Sequence, residues 1–353
     1  MQDHQDFLEL IDRPALMVKD GIIVHANQIA KNRMIQTGTP VEKLLGNHMK
    51  DYLSFTGGCL YLSVEYSYLP CGITNTRQPD GDIFLLDRDL DHTHLQTLAL
   101  AGQQLRQSLG NVMISAEALL PKIEKDPKSQ ELSGQLNRGL FQMLRIISNM
   151  ADSERYALMP SSNLESTELA SFLREVMRKM QATLETANVT IHYEGLSRAV
   201  FSLVDREQLE RAIYNMISNA VKFSPAGSCV EVSAIRCENT VRISVEDAGD
   251  GVAPYVQGSL FHRYQREAAI EDSRFGLGLG MTLVRTAAAT HNGTVLLDRN
   301  KGTRVTLTIA IQKTVPGGLR SPTMRISDYL GGRDNALVEL SDVLPSSSYQ
   351  DIF

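Results

Sequence analysis

The sequence predicts a multidomain α+β protein: a small strand-rich α+β unit, an antiparallel helical hairpin, and an α/β sandwich whose helices cover one face of a mixed sheet. Asp20-Gly21 separates two short apolar runs, Pro14 to Val18 and Ile22 to Ala26, which is a β-hairpin signal. From Leu98 the apolar residues recur at alternating spacings of four and three, which is helical. Beyond Val189 strand-like and helical runs alternate, and RFGLGLGMTLV at 274–284 places glycine at every second position just before an apolar helix. A chain of 353 residues is long enough for several cores of ~100 to 200 residues each.

Residues 1–90 form the strand-rich unit, with further strands expected at Leu60 to Leu69 and Asp82 to Leu86 and a helix at Gln28 to Ile35. Residues 91–160 form the hairpin. Leu98, Gly102, Leu105, Leu109, Val112, Ala116 and Leu119 mark one seam; Leu136, Leu140, Met143, Ile147 and Met150 mark the second, after a break at Pro121 and Pro127. Such a wide seam calls for a second hairpin, so a homodimeric four-helix bundle is expected; docking on its own chain is the alternative. After a polar linker, residues 161–313 supply the sandwich: helices at Glu168 to Ala187 and Asp205 to Phe223, and strands near Val189, Val200, Val230, Thr240, Gly293 and Arg304. Residues 314–353 remain as a tail in which Leu337, Leu340 and Leu344 share a helical spacing.

Thirty-five basic against 41 acidic residues give a net charge of -6, without the basic stripe that a phosphate backbone requires, so nucleic acid is not an expected partner. No apolar run reaches the ~20 residues of a membrane span, and Met1 to Leu10 is too acidic for a signal peptide; a cytoplasmic location is expected. Cys59, Cys71, Cys229 and Cys237 form no CxxC pair and read as reduced core thiols.

On the helix from Asp205, Leu209, Ile213, Met216, Ile217 and Ala220 form the core stripe. Asn215, Asn219 and Lys222 fall on another face, at offsets of four and seven. EDAGDGV then places Asp247 at a strand end, where a carboxylate can accept a hydrogen bond from an exocyclic amine, with Gly249 and Gly251 permitting a tight turn and close approach by a planar ligand. Gly276, Gly278 and Gly280 leave backbone N–H groups unshielded at a helix N-terminus, where the dipole favours anions such as phosphates.

In this order the blocks resemble the GHKL superfamily of ATP-binding domains, and within it the sensor histidine kinases of two-component signalling. NMISNAVKFSP is similar to their N box, DAGDGV and GLGLGMTLV to their glycine boxes and LFHRYQR to their F box; THNGTV and KGTRVTLTI resemble the strands that close the domain. The resemblance implies ATP and Mg2+ as cofactors. It makes Asn219 the metal ligand and sets Asn215 and Lys222 beside the phosphates. Asp247 would read the adenine amino group, Gly249 and Gly251 line the base, Gly276, Gly278 and Gly280 wrap the phosphates, and Phe261 and Thr303 complete the site. Residues 262–275 would be a mobile lid carrying Arg263, Arg266 and Arg274. Hydrolytic members of the superfamily carry glutamate where this chain has Asn215, and an amide is no general base, so rapid hydrolysis is not expected.

The resemblance also aligns GQQLRQSL, residues 102–109, with the family's phospho-acceptor block. Leu105, Arg106 and Leu109 match, but Gln103 stands at the acceptor histidine and Gln104 at the acid that follows it. A carboxamide nitrogen's lone pair is delocalised into its carbonyl, so Gln103 is no useful phosphoryl acceptor. His94 lies on the opposite side of that helix, and His92 about 16 Å away by helical rise. Residues 1–90 resemble a PAS sensor domain; a pocket histidine such as His25 has no partner at haem-ligand spacing. The implied protein is a sensor histidine kinase-like component of a phosphorelay; the alternative is a silent pseudokinase that scaffolds a response regulator or partner kinase in an ATP-dependent way.

Overall fold

The computed structural model describes residues 8–66, 69–87, 92–120, 126–158, 163–225, 227–252, 279–299, 302–312 and 333–350. Strands β1 (Ala15–Lys19) and β2 (Ile22–Ala26) pair antiparallel. Asp20 and Gly21 both adopt left-handed φ, 51° and 76°, as the tightest hairpin turns require. Short helices α1 (Gln28–Asn32), α2 (Glu42–Leu45) and α3 (Met49–Ser54) cover one face of the sheet that β3 (Cys59–Tyr66), β4 (Leu69–Thr76) and β5 (Asp82–Leu86) complete. Asn27 ties this unit together: its Oδ1 accepts from Ala15 and Ala30 N–H, while its Nδ2 donates to Arg13 O at 2.7 Å. Strand β4 was not expected from the sequence, because LPCGITNT carries Pro, Gly and Asn where a strand-forming run would be apolar.

Helices α4 (His92–Leu119) and α5 (Pro127–Leu158) form the hairpin. Pro127 opens α5 at the first helical position, and Asp126 caps it by accepting from Lys128 and Ser129 N–H. The heptad seam divides on folding. Gly102, Leu109, Ala116 and Leu140 are buried, whereas Leu105, Val112, Leu119, Leu136 and Met143 stay exposed. Another face of α5, with Asn137, Phe141, Leu144, Arg145 and Ser148, is buried against the chain's own C-terminal half.

That half contains β6 (Glu165–Glu168), α6 (Leu169–Leu184), β7 (Thr190–Glu194), β8 (Phe201–Val204), α7 (Arg206–Phe223), β9 (Cys229–Cys237), β10 (Thr240–Glu246), α8 (Gly280–Thr290), β11 (Thr294–Arg299) and β12 (Thr303–Ala310). Strand β6 overlaps the end of the polar linker and the start of the helix expected from Glu168; its sequence ESTE is polar, and among the described residues it pairs only with β8. Among the described residues the remaining strands make one ten-stranded sheet, in the order β2-β1-β5-β4-β3-β11-β12-β10-β9-β7, parallel only between β7 and β9.

The sequence implies two separate sheets, but β3 and β11 pair antiparallel, Thr294 opposite Leu62 through Leu297 opposite Cys59, and fuse them. Two apolar edges with unpaired backbone groups are satisfied by one another. Arg285 of α8 reinforces the joint with an ion pair to Asp87 at 3.1 Å and a position over the Tyr61 ring. The expectation of core thiols holds for Cys59 and Cys71, but Cys229 is exposed and Cys237 half-buried, because they terminate β9 beyond the covered part of the sheet.

The tail folds back onto the molecule. Its helix α9 (Asn335–Glu339) and the following turn bury Ala336, Val338, Leu340, Leu344 and Tyr349 in the same core as α5, α6 and α7.

Candidate nucleotide site

Helix α7 is anchored at both ends. Asp205 caps its start by accepting from Gln208 N–H at 3.0 Å, and the Asp205 N–H itself donates to His291 Nε2 at 2.9 Å. The stripe Leu209, Ile213, Met216, Ile217 and Ala220 is buried against the sheet as its spacing predicts. At the C-terminal end the loop after β10 closes on the helix. A Cβ at Gly249 would lie 2.5 Å from Phe223 O, and Gly251 has a left-handed φ of 80°, so both glycines are demanded by geometry.

Asp247 stands at the end of β10. Its Oδ1 accepts from Gly249 N–H and Thr303 N–H, each at 2.9 Å, and its own N–H donates to Thr303 O. Oδ2 has no hydrogen-bond partner among the described residues, so one carboxylate oxygen is fixed by the backbone and the other remains to accept. Gly302, which sequence reasoning did not single out, lets this turn close: a Cβ there would lie 2.6 Å from Asp247 Oδ1 and run into Asp247 O. Its position directly before Thr303 in KGT was the available signal.

Gly280 starts α8, and Leu279 at its N-cap has no side chain that caps it, so among the described residues no cap takes the place of an anion at its first amides. Asn215 faces it: a Cβ at Gly280 would lie 2.8 Å from Asn215 Oδ1. Asn215 is fully buried; its Nδ2 donates to Arg211 O at 2.9 Å, while its Oδ1 has no partner among the described residues. Asn219, one turn on, is half-buried and makes no side-chain hydrogen bond among the described residues. The structure thus brings Asn215, midway along α7, to Gly280, and Asp247 to Gly249 and Thr303 near the C-terminal end of the helix. Phe261, Gly276, Gly278 and the lid 262–275 lie outside the described residues.

The strands and helices of this sandwich match a family model. Residues 204–313 fit the histidine kinase-, DNA gyrase B-, and HSP90-like ATPase family. Residues 204–313 are thus a GHKL-type ATPase domain. Over 243 residues it is 27% identical to the sensor-like histidine kinase SenX3 of Mycobacterium bovis, covering 65% of this chain and 58% of that protein. It is 25% identical to the sensor histidine kinase CusS of Escherichia coli over 211 residues, 58% of this chain and 43% of CusS. The chain therefore spans little more than half of SenX3 and less than half of CusS. Full-length ShkA in complex with AMPPNP shares the fold, with a TM-score of 0.51 and 22% identity over 63% of this chain and 47% of that one.

Around the GHKL domain the polar face of α7 is more occupied than its sequence implies. Arg211 is buried, with Nη1 ion-paired to Asp152 of α5, Nη2 donating to Asn149 Oδ1 at 2.8 Å and Nε donating to Glu339 of α9 at 3.3 Å. Glu339, 1% exposed, also accepts from Arg145 Nε at 3.3 Å, and Asp342 accepts from Arg145 Nη1 at 2.7 Å and from Lys222 Nζ at 3.3 Å. Lys222 is thus held by the tail.

On the hairpin, Gln103 and Gln104 are exposed, because Gly102 beside them packs on α5, where a Cβ would sit 3.0 Å from that of Ala151. Arg106 turns to Asp152 at 3.5 Å, so the aligned acceptor block is tied to α7 through a carboxylate shared with Arg211. No helix among the described residues is long and apolar enough to cross a membrane.

Proposed function

We propose that this protein is an ATP-binding component of a two-component phosphorelay that does not phosphorylate its own hairpin. It comprises a PAS-like sensor unit (1–90), a dimerisation hairpin (91–160), the ATP-binding domain (161–313) and a tail (314–353). The observation that carries the nucleotide reading is Asp247, held through Oδ1 by two backbone amides with Oδ2 left as an acceptor at the C-terminal end of α7. Such a carboxylate suits the adenine amino group, and the uncapped start of α8 suits the phosphates.

Mg2+ fits this donor set. Among the described residues the Asn219 carboxamide makes no hydrogen bond and Asn215 Oδ1 is a buried acceptor with no donor, a neutral oxygen set of the kind that takes a cation arriving with its triphosphate. Bound there, Mg2+ would neutralise phosphate charge. Asn215 cannot act as a base toward water, which favours retention of ATP over hydrolysis. The exposed glutamines at 103 and 104 support the silent reading, in which nucleotide occupancy sets the geometry of a homodimer that engages a response regulator or partner kinase.

Titration with ATP and Mg2+ tests the first part: Asp247→Asn and Asn219→Ala should each weaken binding by tenfold or more, about 1.4 kcal/mol. Incubation with γ-labelled ATP tests the second. Wild type should gain no acid-labile label, and label on wild type would restore an active kinase.

A further inference from the structure

The C-terminal segment is built into the nucleotide site, and its contacts are not those of a passive tail. Glu339 lies between Arg145 of α5 and Arg211 of α7, with Oε2 also 3.4 Å from Asn215 Nδ2. Asp342 bridges Arg145 and Lys222. Behind these acids α5 grips the segment through its backbone: Arg138 donates to Ser341 O and Asp342 O, Gln142 to Ser341 O at 3.2 Å, and Asn137 Nδ2 to Tyr349 O at 2.9 Å. Tyr349 is buried edge-on against Phe141, with ring centroids 5.2 Å apart, and its hydroxyl donates to Leu337 O.

We infer that residues 334–350 are a brake on the nucleotide site, competing with ATP for Lys222 and clamping the GHKL domain to α5 while docked. The inference rests on the ATP reading above. The Asp342 carboxylate occupies the lysine that a polyanion would need, and one ammonium cannot satisfy both at full strength. Docking also cross-links α5 to α7, so it opposes any rotation of the domain relative to the hairpin. Competition of this kind is reciprocal: whatever the docked segment costs ATP in affinity, ATP costs the segment in docking.

The test uses the full chain. Asp342→Asn is chosen because Asp342 is part-exposed, so its loss leaves the buried Glu339 cage intact; Arg138→Ala loosens the backbone grip without altering either acid. Affinity for ATP with Mg2+ is measured by calorimetry, and hydrogen exchange of the 336–344 amides is followed in wild type with and without ATP. Both variants should bind ATP at least about fivefold more tightly, the low end of common coupling energies, and saturating ATP should speed exchange in the segment. Equal affinities in all three proteins with unchanged exchange would overturn the brake while leaving the ATP site standing. Tighter binding by Asp342→Asn alone, with unchanged exchange, would also overturn it, since a charge effect without release would then be responsible. Absence of ATP binding in every protein would remove the site and the brake together.

Discussion

His291 is buried at the C-terminus of α8, and both of its ring nitrogens have assigned work. The Asp205 N–H donates to Nε2, so Nε2 must be the acceptor and Nδ1 carries the proton, which it donates to Ala287 O at 2.6 Å. Burial lowers its pKa from the usual 6.5, against the smaller opposing pulls of the Ala287 carbonyl and the Asp205 charge. The imidazole is therefore neutral when folded, and the unfolded chain binds the extra proton first. Its contribution to stability is complete above about pH 6.5 and is lost as pH falls from there toward the depressed folded value. Melting curves should show wild type losing stability between pH 7 and 5.5 more steeply than His291→Gln, with a limiting difference of about 1.4 kcal/mol per pH unit. Parallel slopes would mean that folding leaves the ring's proton affinity unchanged, against the burial described.

Helix α7 shows what could be read in advance at the scale of one element. The stripe from Leu209 to Ala220 was legible because helical period alone selects it, and the glycines after Asp247 were legible because a strand end followed by Gly-x-Gly permits few backbones. The burial of Arg211 and Ser218 was not, because the groups covering them come from Arg145, Asp152 and Glu339, far away in sequence. For the same reason Lys222 was read as a phosphate contact without its partner Asp342. Gly302 belongs to this class: its need for a bare Cα depends on Asp247 lying across the turn, a long-range fact. Gly302→Ala should cost about 1 to 3 kcal/mol, as overpacked sites do, because the obstructing atom is backbone and cannot swing aside. A urea midpoint unchanged from wild type would show that the turn shifts freely.

At the scale of the whole molecule, two kinds of apolar surface are handled differently. The edges of β3 and β11 meet within one chain and make a single sheet, whereas part of the hairpin seam meets nothing among the described residues. Leu105, Val112 and Leu119 of α4 are 51%, 53% and 60% exposed at seven-residue intervals, and Leu136 and Met143 of α5 repeat the interval. A monomer gains nothing from holding such a row in water, while a second copy of the same hairpin would cover it with its own. The apolar residues that docked on the tail and on α7 are a different set, so the dimer proposed here can form with the tail in place. Sedimentation equilibrium should therefore give twice the chain mass for wild type. The double variant Leu105→Glu, Val112→Glu should give the chain mass, with melting of its ATP-domain core largely retained, because neither side chain belongs to that core. A wild-type monomer at micromolar concentration would leave the row without a partner and remove the dimer from the mechanism, along with any signal carried by a change in its geometry.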